Sequence, residues 1–516
     1  MKIRPIIIYP FLIAFYPVIF AYAENIKGLI LPEVSLPLSV SFFLTLMLFL
    51  LAKIVFRDWY KAGIAAAIII IVIENYILGF DFVRKTVLDQ FIKGKHKFGF
   101  LVVTTGLLIF LYFLRKSKQR FRLSASILNV FSVILISLPV VQIAVYEISN
   151  KSPTINAVTL PKLEKNGHPQ TGELPDIYYF ILDRYGQNKT ISSNYGYDNS
   201  VFIKSLEKKG FHIVSDSWSN YTTSALSLAS SLNMSYLDNL AQNPGINSAD
   251  EKILLKLIEN NLVVKFLKSM GYKYIHVGSW WNATAKNKYA DRNIKGALAL
   301  SELSQVIYSR TIFYPITVKL KVPLLDGRYA QFIRIPSQFS EIANIPKMKE
   351  PTFIFAHFLI PHPPYVFDKD GNFITEEEEN KRSERDNYIG QLEYANKKIL
   401  ELVNTLLTSA KDNKPIIVIQ GDEGPYPGEY LKNSLKYDWK KAGDDIIQQK
   451  MGILNAIYFP DNRYESFSPV TSPVNSFRIV FNTWFNQKLE LLPDISFLSN
   501  VGKPYDFVKK IERNQK

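Results

Sequence analysis

The sequence predicts a protein in two parts: an N-terminal α-helical membrane domain of about five transmembrane helices, and an α/β domain with a largely parallel sheet. Hydrophobic residues make up 47% of the 516-residue chain and are concentrated in the first 147 positions. After a polar linker, short β-rich runs alternate with helical patterns. We therefore expect a transmembrane domain at residues 1–147, a linker at 148–174 and a second domain at 175–516.

Five apolar stretches come close to the roughly 20 residues that a spanning helix needs. A cleaved signal peptide would not be followed by four further segments of this kind. The stretches are Pro5–Ala23, Leu36–Ala52, Ala62–Phe80, Phe98–Leu114 and Leu123–Val145.

The short loops between these stretches predict their orientation, because Lys and Arg are enriched on the cytoplasmic side. Such residues precede the first stretch, flank the loop at 53–61 and crowd the loop at 115–122. The chain from about Ile148 onward is therefore expected outside the cytoplasmic membrane. One basic loop, at residues 84–97, falls on the external side, and we interpret "VRKTVLDQFIKGKHKF" as an interfacial amphipathic helix.

Charge and cysteine content narrow the class of protein. The formal net charge of +15 could indicate nucleic acid binding, but the clustered hydrophobic residues favour a bilayer as partner, and no nucleic acid is expected. The absence of cysteine excludes disulfides, thiolate zinc sites and cysteine nucleophiles. Glu74 lies inside the third apolar stretch, where a carboxyl is either functional, as in a transporter, or paired within the bundle.

Six β-rich runs predict the sheet of the second domain, with helical patterns between several of them. In such a sheet the ligand site lies beyond the carboxyl ends of the strands. The runs are "IYYFIL", "FHIVS", "YKYIHV", "TFIFAHF", "IIVIQ" and "ILNAIYF".

Polar residues at these strand ends are candidates for a site. Asp183 follows "IYYFIL" directly, and Asp422 and Glu423 come shortly after "IIVIQ". A hydroxyl cluster in "SNYTTSALSLASSLNM" leads into a helix beginning near Ser224. Each feature alone is typical of a turn or a helix cap, but together three carboxylates and a hydroxyl suit a divalent cation.

Three histidines add to the candidates. Prolines on both sides of His362 predict an exposed loop, so a buried structural histidine is less expected there. His357 lies within a strand pattern, which favours a structural role, and His276 could either reach the same rim or pack internally.

On these residues the chain resembles the sulfatase-like branch of the alkaline phosphatase superfamily in its membrane-anchored form, as in lipoteichoic acid synthases and lipid A phosphoethanolamine transferases. The resemblance covers roughly residues 175–495. It rests on "DIYYFILDRYG", "SNYTTSALSLASSLNM", "PHPPYVFD", "GDEGPYP" and "SPVNSFRIVFNTWF".

The resemblance implies a sulfatase-like α/β catalytic domain with one metal held by a strand-end acid, a Ser or Thr nucleophile and a later Asp-His pair. It assigns Asp183 and Asp422 as acids, and the family's Thr-Ala-x-Ser pattern makes Ser224 the nucleophile and a metal ligand. Thr223 and Thr222 remain alternatives for the nucleophile. The resemblance and the strand-end pattern together make Arg184, His362, His276 and His357 substrate-binding candidates.

Two departures from the family pattern affect the expected chemistry. Glu423 stands where the family has a metal-binding His, so Mg, Mn or Ca is expected rather than zinc. Arg184 stands where related sequences often have Gly, and it could pair with Asp183, bind the substrate anion or block the site.

The implied activity is metal-dependent transfer, or hydrolysis, of a phosphoryl-type or sulfuryl group on an envelope lipid or glycan through a covalent Ser/Thr intermediate. The membrane anchor favours a lipid-linked substrate and hence a transferase. The alternatives are a hydrolase of sulfate or phosphate esters and a catalytically inactive glycan- or partner-binding membrane protein. The sequence does not predict the oligomeric state.

Overall fold

The computed structural model describes residues 6–85, 96–149, 158–164, 174–295, 300–345, 348–410 and 413–513. Contacts divide the chain into two compact units. The first unit comprises Met1–Lys151 and Ala299–Gly327, and the second comprises Ser152–Leu298 and Arg328–Lys516.

The first unit contains the predicted apolar helices. Four of them are long and apolar enough to cross a membrane, whereas α1, with 16 residues, is shorter than the roughly 20 residues of a typical span. Most of the basic loop predicted as an interfacial helix lies outside the described residues, at 86–95. The helices are α1 (Tyr9–Glu24), α2 (Ser35–Phe56), α3 (Trp59–Val83), α4 (His96–Lys116) and α5 (Arg122–Ser149).

The second unit is built on a seven-stranded sheet with the order β2-β7-β6-β1-β5-β3-β4. The five strands from β6 to β4 run parallel, and β7 is antiparallel to both of its neighbours. The predicted largely parallel α/β architecture is therefore confirmed. The strands are β1 (Ile177–Leu182), β2 (Phe211–Ile213), β3 (Lys273–Val277), β4 (Arg292–Ile294), β5 (Thr352–Phe358), β6 (Ile416–Gly421) and β7 (Asn455–Tyr458), and a separate pair is formed by β8 (Ile495–Ser499) and β9 (Phe507–Glu512).

Helices connect these strands. Two short helices, α12 and α13, belong to the first unit although they lie in the stretch predicted as the α/β domain. In chain order the helices are α6 (Asn188–Tyr195), α7 (Ser200–Glu207), α8 (Ser224–Asn233), α9 (Lys252–Glu259), α10 (Leu262–Ser269), α11 (Asn282–Ala285), α12 (Glu302–Tyr308), α13 (Tyr314–Lys319), α14 (Gly327–Ala343), α15 (Glu376–Lys381), α16 (Glu384–Ser409), α17 (Gly428–Lys432), α18 (Asp444–Met451) and α19 (Pro473–Phe485).

The central strands β1, β5 and β6 are buried on both faces, as parallel strands covered by helices must be. Along β1, Ile177, Tyr179 and Ile181 enter one apolar core, and the residues between them enter another. This double burial explains why "IYYFIL" is a continuous apolar run rather than an alternating one. It also leaves the carboxyl ends of the strands as the place where polar side chains collect.

Candidate active site

The pairing of β1 with both neighbours brings the predicted acids together. Leu182, the last residue of β1, lies opposite Phe358 of β5 on one side and Gly421 of β6 on the other. Asp183 and Asp422 each follow their strand by one residue, so they stand at the same edge of the sheet. His357, the next-to-last residue of β5, reaches that edge from the third strand.

Asp183, His357 and Asp422 form a buried cluster whose ligand atoms all lie within 4.8 Å of one another. The His357 Nε2 atom is 3.8 Å from Asp183 Oδ2 and 3.6 Å from Asp422 Oδ2, too far for hydrogen bonds. Within the described residues, Asp183 Oδ1, His357 Nε2 and Asp422 Oδ2 have no hydrogen-bond partner. Because unpaired buried polar atoms are costly, this arrangement fits a bound divalent cation.

The remaining contacts hold these ligands in place. The other ring nitrogen of His357, Nδ1, lies 3.0 Å from Thr284 Oγ1, which leaves Nε2 directed at the carboxylates. Asp422 Oδ1 accepts hydrogen bonds from the backbone N–H of Arg184 at 3.3 Å and of Glu423 at 2.9 Å. One oxygen of Asp422 is thus anchored by backbone while the other stays available.

The two aspartates have opposite electrostatic environments. Burial, together with the neighbouring charges of Asp422 and Glu423, raises the pKa of Asp183. Burial also acts to raise the pKa of Asp422, but His357, the Ser224 hydroxyl and the Arg184 backbone N–H outweigh it, so that pKa is lowered. Mutual repulsion between these carboxylates is the condition that a bound cation would relieve.

Ser224 is the first residue of α8, and its hydroxyl lies close enough to the Asp422 carboxylate to help lower the pKa of that group. It is partly exposed, as a nucleophile must be. The hydroxyl of Thr222 donates to the Ser499 carbonyl at 3.1 Å, whereas the buried Thr223 hydroxyl has no partner in the part of the chain that the structure describes. The structure therefore links Ser224 to the cluster, and the choice among the three hydroxyls stays a prediction.

Glu423 lies in a different contact from the one predicted. Its Oε2 atom accepts a hydrogen bond from Lys450 Nζ at 2.6 Å, and both side chains are buried. Glu423 is not a member of the Asp183-His357-Asp422 cluster. No sequence signal indicated Lys450, because it ends an ordinary polar helix, α18, that is distant along the chain.

Arg184 adopts a left-handed backbone conformation, with φ of 63°. Glycine adopts this conformation without strain, which accounts for the glycine expected at this position from the family pattern. The guanidinium is buried, its carbon lies 3.3 Å from the Tyr426 ring centroid, and its nitrogens have no hydrogen-bond partner among the described residues. A planar cation held in this way is suited to an oxyanion.

The histidines differ from their predicted roles. His357, predicted as a structural or substrate-rim residue, supplies the imidazole of the cluster. His276 uses both ring nitrogens internally, toward the Tyr274 hydroxyl at 2.8 Å and the Thr284 carbonyl at 2.9 Å. Burial lowers the pKa of His276 to about 4, so its ring is neutral and supports Thr284 rather than a substrate.

His362 is partly buried near the rings of Trp280 and Tyr426. It is not fully exposed as its flanking prolines predicted, because aromatic side chains pack around the loop. Burial, with the nearby Arg184 charge, lowers the pKa of His362 to about 3. Its ring is therefore neutral and can exchange hydrogen bonds with an anion without adding charge.

Comparison with known proteins adds one family assignment. The Sulfatase family model matches residues 175–465, more than half of the chain. No curated protein matches the sequence.

Several solved structures are similar to this chain. The integral membrane lipooligosaccharide phosphoethanolamine transferase A (EptA) from Neisseria meningitidis has 13% identity and a TM-score of 0.40, and the match covers 93% of this chain and 96% of that one. The C-terminal periplasmic domain of EcEptC from Escherichia coli, in complex with Zn, has 12% identity and a TM-score of 0.39, over 63% of this chain and 87% of that one. The periplasmic domain of phosphoethanolamine transferase EptC from Campylobacter jejuni has 13% identity and a TM-score of 0.37, over 62% and 92%.

Proposed function

Because this chain belongs to the sulfatase family, we propose that it is a metal-dependent enzyme that transfers, or hydrolyses, a phosphoryl-type or sulfuryl group on an envelope lipid or glycan. One observation carries the proposal. Asp183, His357 and Asp422 bring ligand atoms within 4.8 Å of one another, and each side chain keeps a buried N or O atom without a hydrogen-bond partner among the described residues, with the Ser224 hydroxyl nearby.

In this proposal Asp183, His357 and Asp422 hold the metal, with the Ser224 oxygen adjoining them. When bound, a divalent cation would supply positive charge that favours the Ser224 alkoxide and stabilises charge on the transferring group. In the same proposal the Asp422 carboxylate accepts a hydrogen bond from the neighbouring Ser224 hydroxyl and so orients it for attack. Arg184 and neutral His362 bind the oxygens of the group under attack.

The reaction proceeds in two displacements at the phosphorus or sulfur atom. The Ser224 hydroxyl gives up its proton and its oxygen forms a bond to that atom, while the bond to the donor's ester oxygen breaks and the leaving oxygen takes up the proton. An incoming hydroxyl then forms a new bond to the same atom, gives up its proton, and releases Ser224. Water as the second nucleophile gives hydrolysis, whereas a glycan or lipid hydroxyl gives transfer.

The choice of metal depends on Glu423. The preference for Mg, Mn or Ca over zinc assumed that Glu423 is a ligand, but its carboxylate is paired with Lys450. One imidazole and two carboxylates remain in the cluster, and such a set accepts zinc as well as manganese. We therefore propose a divalent metal without ranking zinc below the others.

The membrane helices support a lipid-borne substrate. Four helices are long and apolar enough to cross a bilayer. The distribution of Lys and Arg in the loops supports a catalytic domain on the extracytoplasmic side of the cytoplasmic membrane. An enzyme held at that surface meets lipid-linked donors and acceptors without diffusion through the bulk solution, which favours a transferase over a hydrolase.

A second candidate is a catalytically inactive protein that binds a glycan or a partner through the same pocket. Two buried cations, Arg184 and Lys450, favour it because they neutralise the acidic site without a metal. The two candidates differ in metal content and in the effect of a Ser224→Ala substitution.

The test is mass analysis of envelope lipids and glycans from cells that lack this protein and from cells complemented with wild type, Ser224→Ala or Asp422→Asn. We expect a mass difference equal to a phosphoryl-type or sulfuryl group that only the wild type restores. A metal-free wild-type protein, together with full complementation by both variants, would refute the enzyme and favour the binding protein.

A further inference from the structure

Helix α3 of the first unit is interrupted at Asn75, where φ is −123° and ψ is 17°. In a continuous helix, the N–H of Ile77 would donate to the carbonyl of Ile73. Instead, Ile77 N–H donates to the Arg310 carbonyl at 3.0 Å, and the Ile73 carbonyl accepts from Ile312 N–H at 2.9 Å. The backbone of residues 310–312 thus supplies hydrogen-bond partners for the Ile77 N–H and the Ile73 carbonyl.

The interruption at Asn75 lies within the apolar stretch of α3 that is predicted to span the membrane. Asn75 precedes Phe80, the last residue of the predicted apolar stretch, by five residues, which corresponds to about 7.5 Å along a helix. In hydrocarbon each backbone N–H and C=O must be satisfied within the protein, and irregular backbone occurs only where protein surrounds it. The hydrogen bonds from Arg310 and Ile312 bring their segment level with the apolar part of α3.

Helix α12 precedes Arg310 in the same segment, residues 300–327, and its packing supports a position beside the membrane helices. Leu303 is buried in an apolar cluster with Ala21, Tyr22, Ile26 and Leu29, and Ile143 and Tyr146 pack against that cluster. These partners belong to the ends of α1 and α5 that the basic loops predict to be extracytoplasmic. The segment is therefore anchored on the outer ends of the spanning helices.

The later part of the segment carries four large exposed apolar side chains. Phe313, Ile316, Leu320 and Leu324 are each between 43% and 68% exposed. Lys319 precedes Leu320 and is also exposed. An apolar face bordered by a lysine is typical of a segment that inserts its apolar side chains below anionic headgroups.

We propose that residues 300–327, here named the inserted segment, enter the extracytoplasmic leaflet of the bilayer and complete the interrupted helix α3. The occupant of their exposed apolar face is then lipid, with Lys319 at the phosphate level. This inference concerns the membrane surface of the protein and does not depend on the chemistry of the active site.

The absence of cysteine permits a direct test in the full-length protein. Single variants Phe313→Cys, Ile316→Cys and Leu320→Cys are spin-labelled in vesicles of phosphatidylethanolamine and phosphatidylglycerol. Collision with oxygen, which partitions into lipid, is compared with collision with a water-soluble nickel chelate. Val130→Cys on α5 is the lipid-exposed control, and Val201→Cys on α7 is the aqueous control, since both side chains are exposed.

We expect the oxygen-to-nickel accessibility ratio at the three positions to exceed that at Val201→Cys several-fold and to approach that at Val130→Cys. A ratio equal to that of Val201→Cys would overturn the proposal. Protection from both reagents would also overturn it, because a protein surface, such as a second copy of the chain, would then cover the face.

The helix-completion part is tested by Ile312→Pro, which removes the N–H that donates to Ile73. The control is Ile312→Ala, which keeps the donor. We expect lower protease resistance of the inserted segment in the proline variant alone. Equal resistance in both variants would contradict this part, and the labelling result does not depend on the folding of the proline variant.

Discussion

Glu423 directly follows Asp422 in the sequence, and its carboxylate forms a buried ion pair with the ammonium of Lys450. Replacing Glu423 by Gln should leave Lys450 buried and unpaired, at a cost of about 3–5 kcal/mol of stability. Because Glu423 lies outside the three-residue cluster, metal content should stay that of the wild type. Thermal unfolding and metal analysis of the purified protein check both expectations.

Matched variants separate a role of Glu423 in stability from a role in metal binding. Asp422→Asn should lose metal. The double variant Glu423→Gln with Lys450→Met should recover part of the stability that Glu423→Gln alone loses, because it leaves no buried charge without a partner. Loss of metal in Glu423→Gln to the extent seen in Asp422→Asn would show that Glu423 is a ligand after all.

Arg184 combines a left-handed backbone with a buried, unpartnered guanidinium. Substitution by Gly removes backbone strain of about 1 kcal/mol, so the backbone change itself should not destabilise the protein. The same change removes the charged donors, which should weaken inhibition by inorganic sulfate or phosphate by roughly tenfold to a hundredfold. Unchanged inhibition in Arg184→Gly, with Arg184→Lys as the charge-retaining control, would rule out anion binding by this residue.

At the residue scale, adjacency to a strand end was enough to predict that Asp183 and Asp422 lie at one edge of the sheet, and the helix predicted near Ser224 begins at that residue. The contribution of His357 was less accessible, because it depends on β5 pairing directly with β1. An imidazole near the end of an otherwise apolar strand was the available signal. The pairing of Glu423 with Lys450 had no local signal, since its two members come from distant elements.

At the element scale, the six β-rich runs correspond to strands of the sheet, and in the four parallel ones among them the continuous apolar sequence reflects burial on both faces. Strand β4, only three residues long and mostly exposed, has no such pattern and was not predicted. The pattern "EKILLKLIENNLVVKFLKSM" is two helices, because Asn261 caps α10 by accepting from Val264 N–H. The amphipathic pattern continues from α9 into α10, so the sequence did not indicate the break between the two helices.

Helix α8, which presents Ser224, is held at its far end by Arg478. The Arg478 guanidinium donates two hydrogen bonds to the Met234 carbonyl, at 2.9 Å and 2.7 Å, and one to the Glu490 carbonyl. Arg478→Gln should lower the free energy of unfolding by about 2 kcal/mol or more, because buried carbonyls lose their donors. Chemical unfolding of the full-length protein measures this change, and Arg478→Lys should retain part of the stability. No difference between wild type and Arg478→Gln would contradict the proposed support.

At the scale of the whole molecule, the division into an apolar helical region and an α/β region could be predicted from composition alone. Strand order could not, because it depends on contacts between runs far apart in sequence. The grouping of Ala299–Gly327 with the apolar helices was also beyond prediction. Its helices are too short to give a membrane signal, and hydrogen bonds to α3 become visible only in three dimensions.

The predicted topology can be measured with single cysteines in the cysteine-free chain. Leu435→Cys lies at a side chain that is 78% exposed in the second unit, and Lys118→Cys lies in the basic loop between α4 and α5. A membrane-impermeant maleimide should label Leu435→Cys in cells with a permeabilised outer envelope and an intact cytoplasmic membrane. Lys118→Cys should react only after that membrane is opened. The reverse pattern would invert the topology and place the catalytic domain in the cytoplasm.

The central claim is that Ser224 carries the transferred group at a metal-dependent site. Peptide mass analysis after acid quenching of the full-length protein, incubated with envelope lipids and glycans, tests it most directly. We predict a phosphoryl-type or sulfuryl addition on Ser224 that disappears on chelation and in Ser224→Ala, but persists in Thr222→Ala and Thr223→Ala. Group transfer by metal-loaded protein with Ser224 never modified, or an adduct that persists in Ser224→Ala, would contradict the claim.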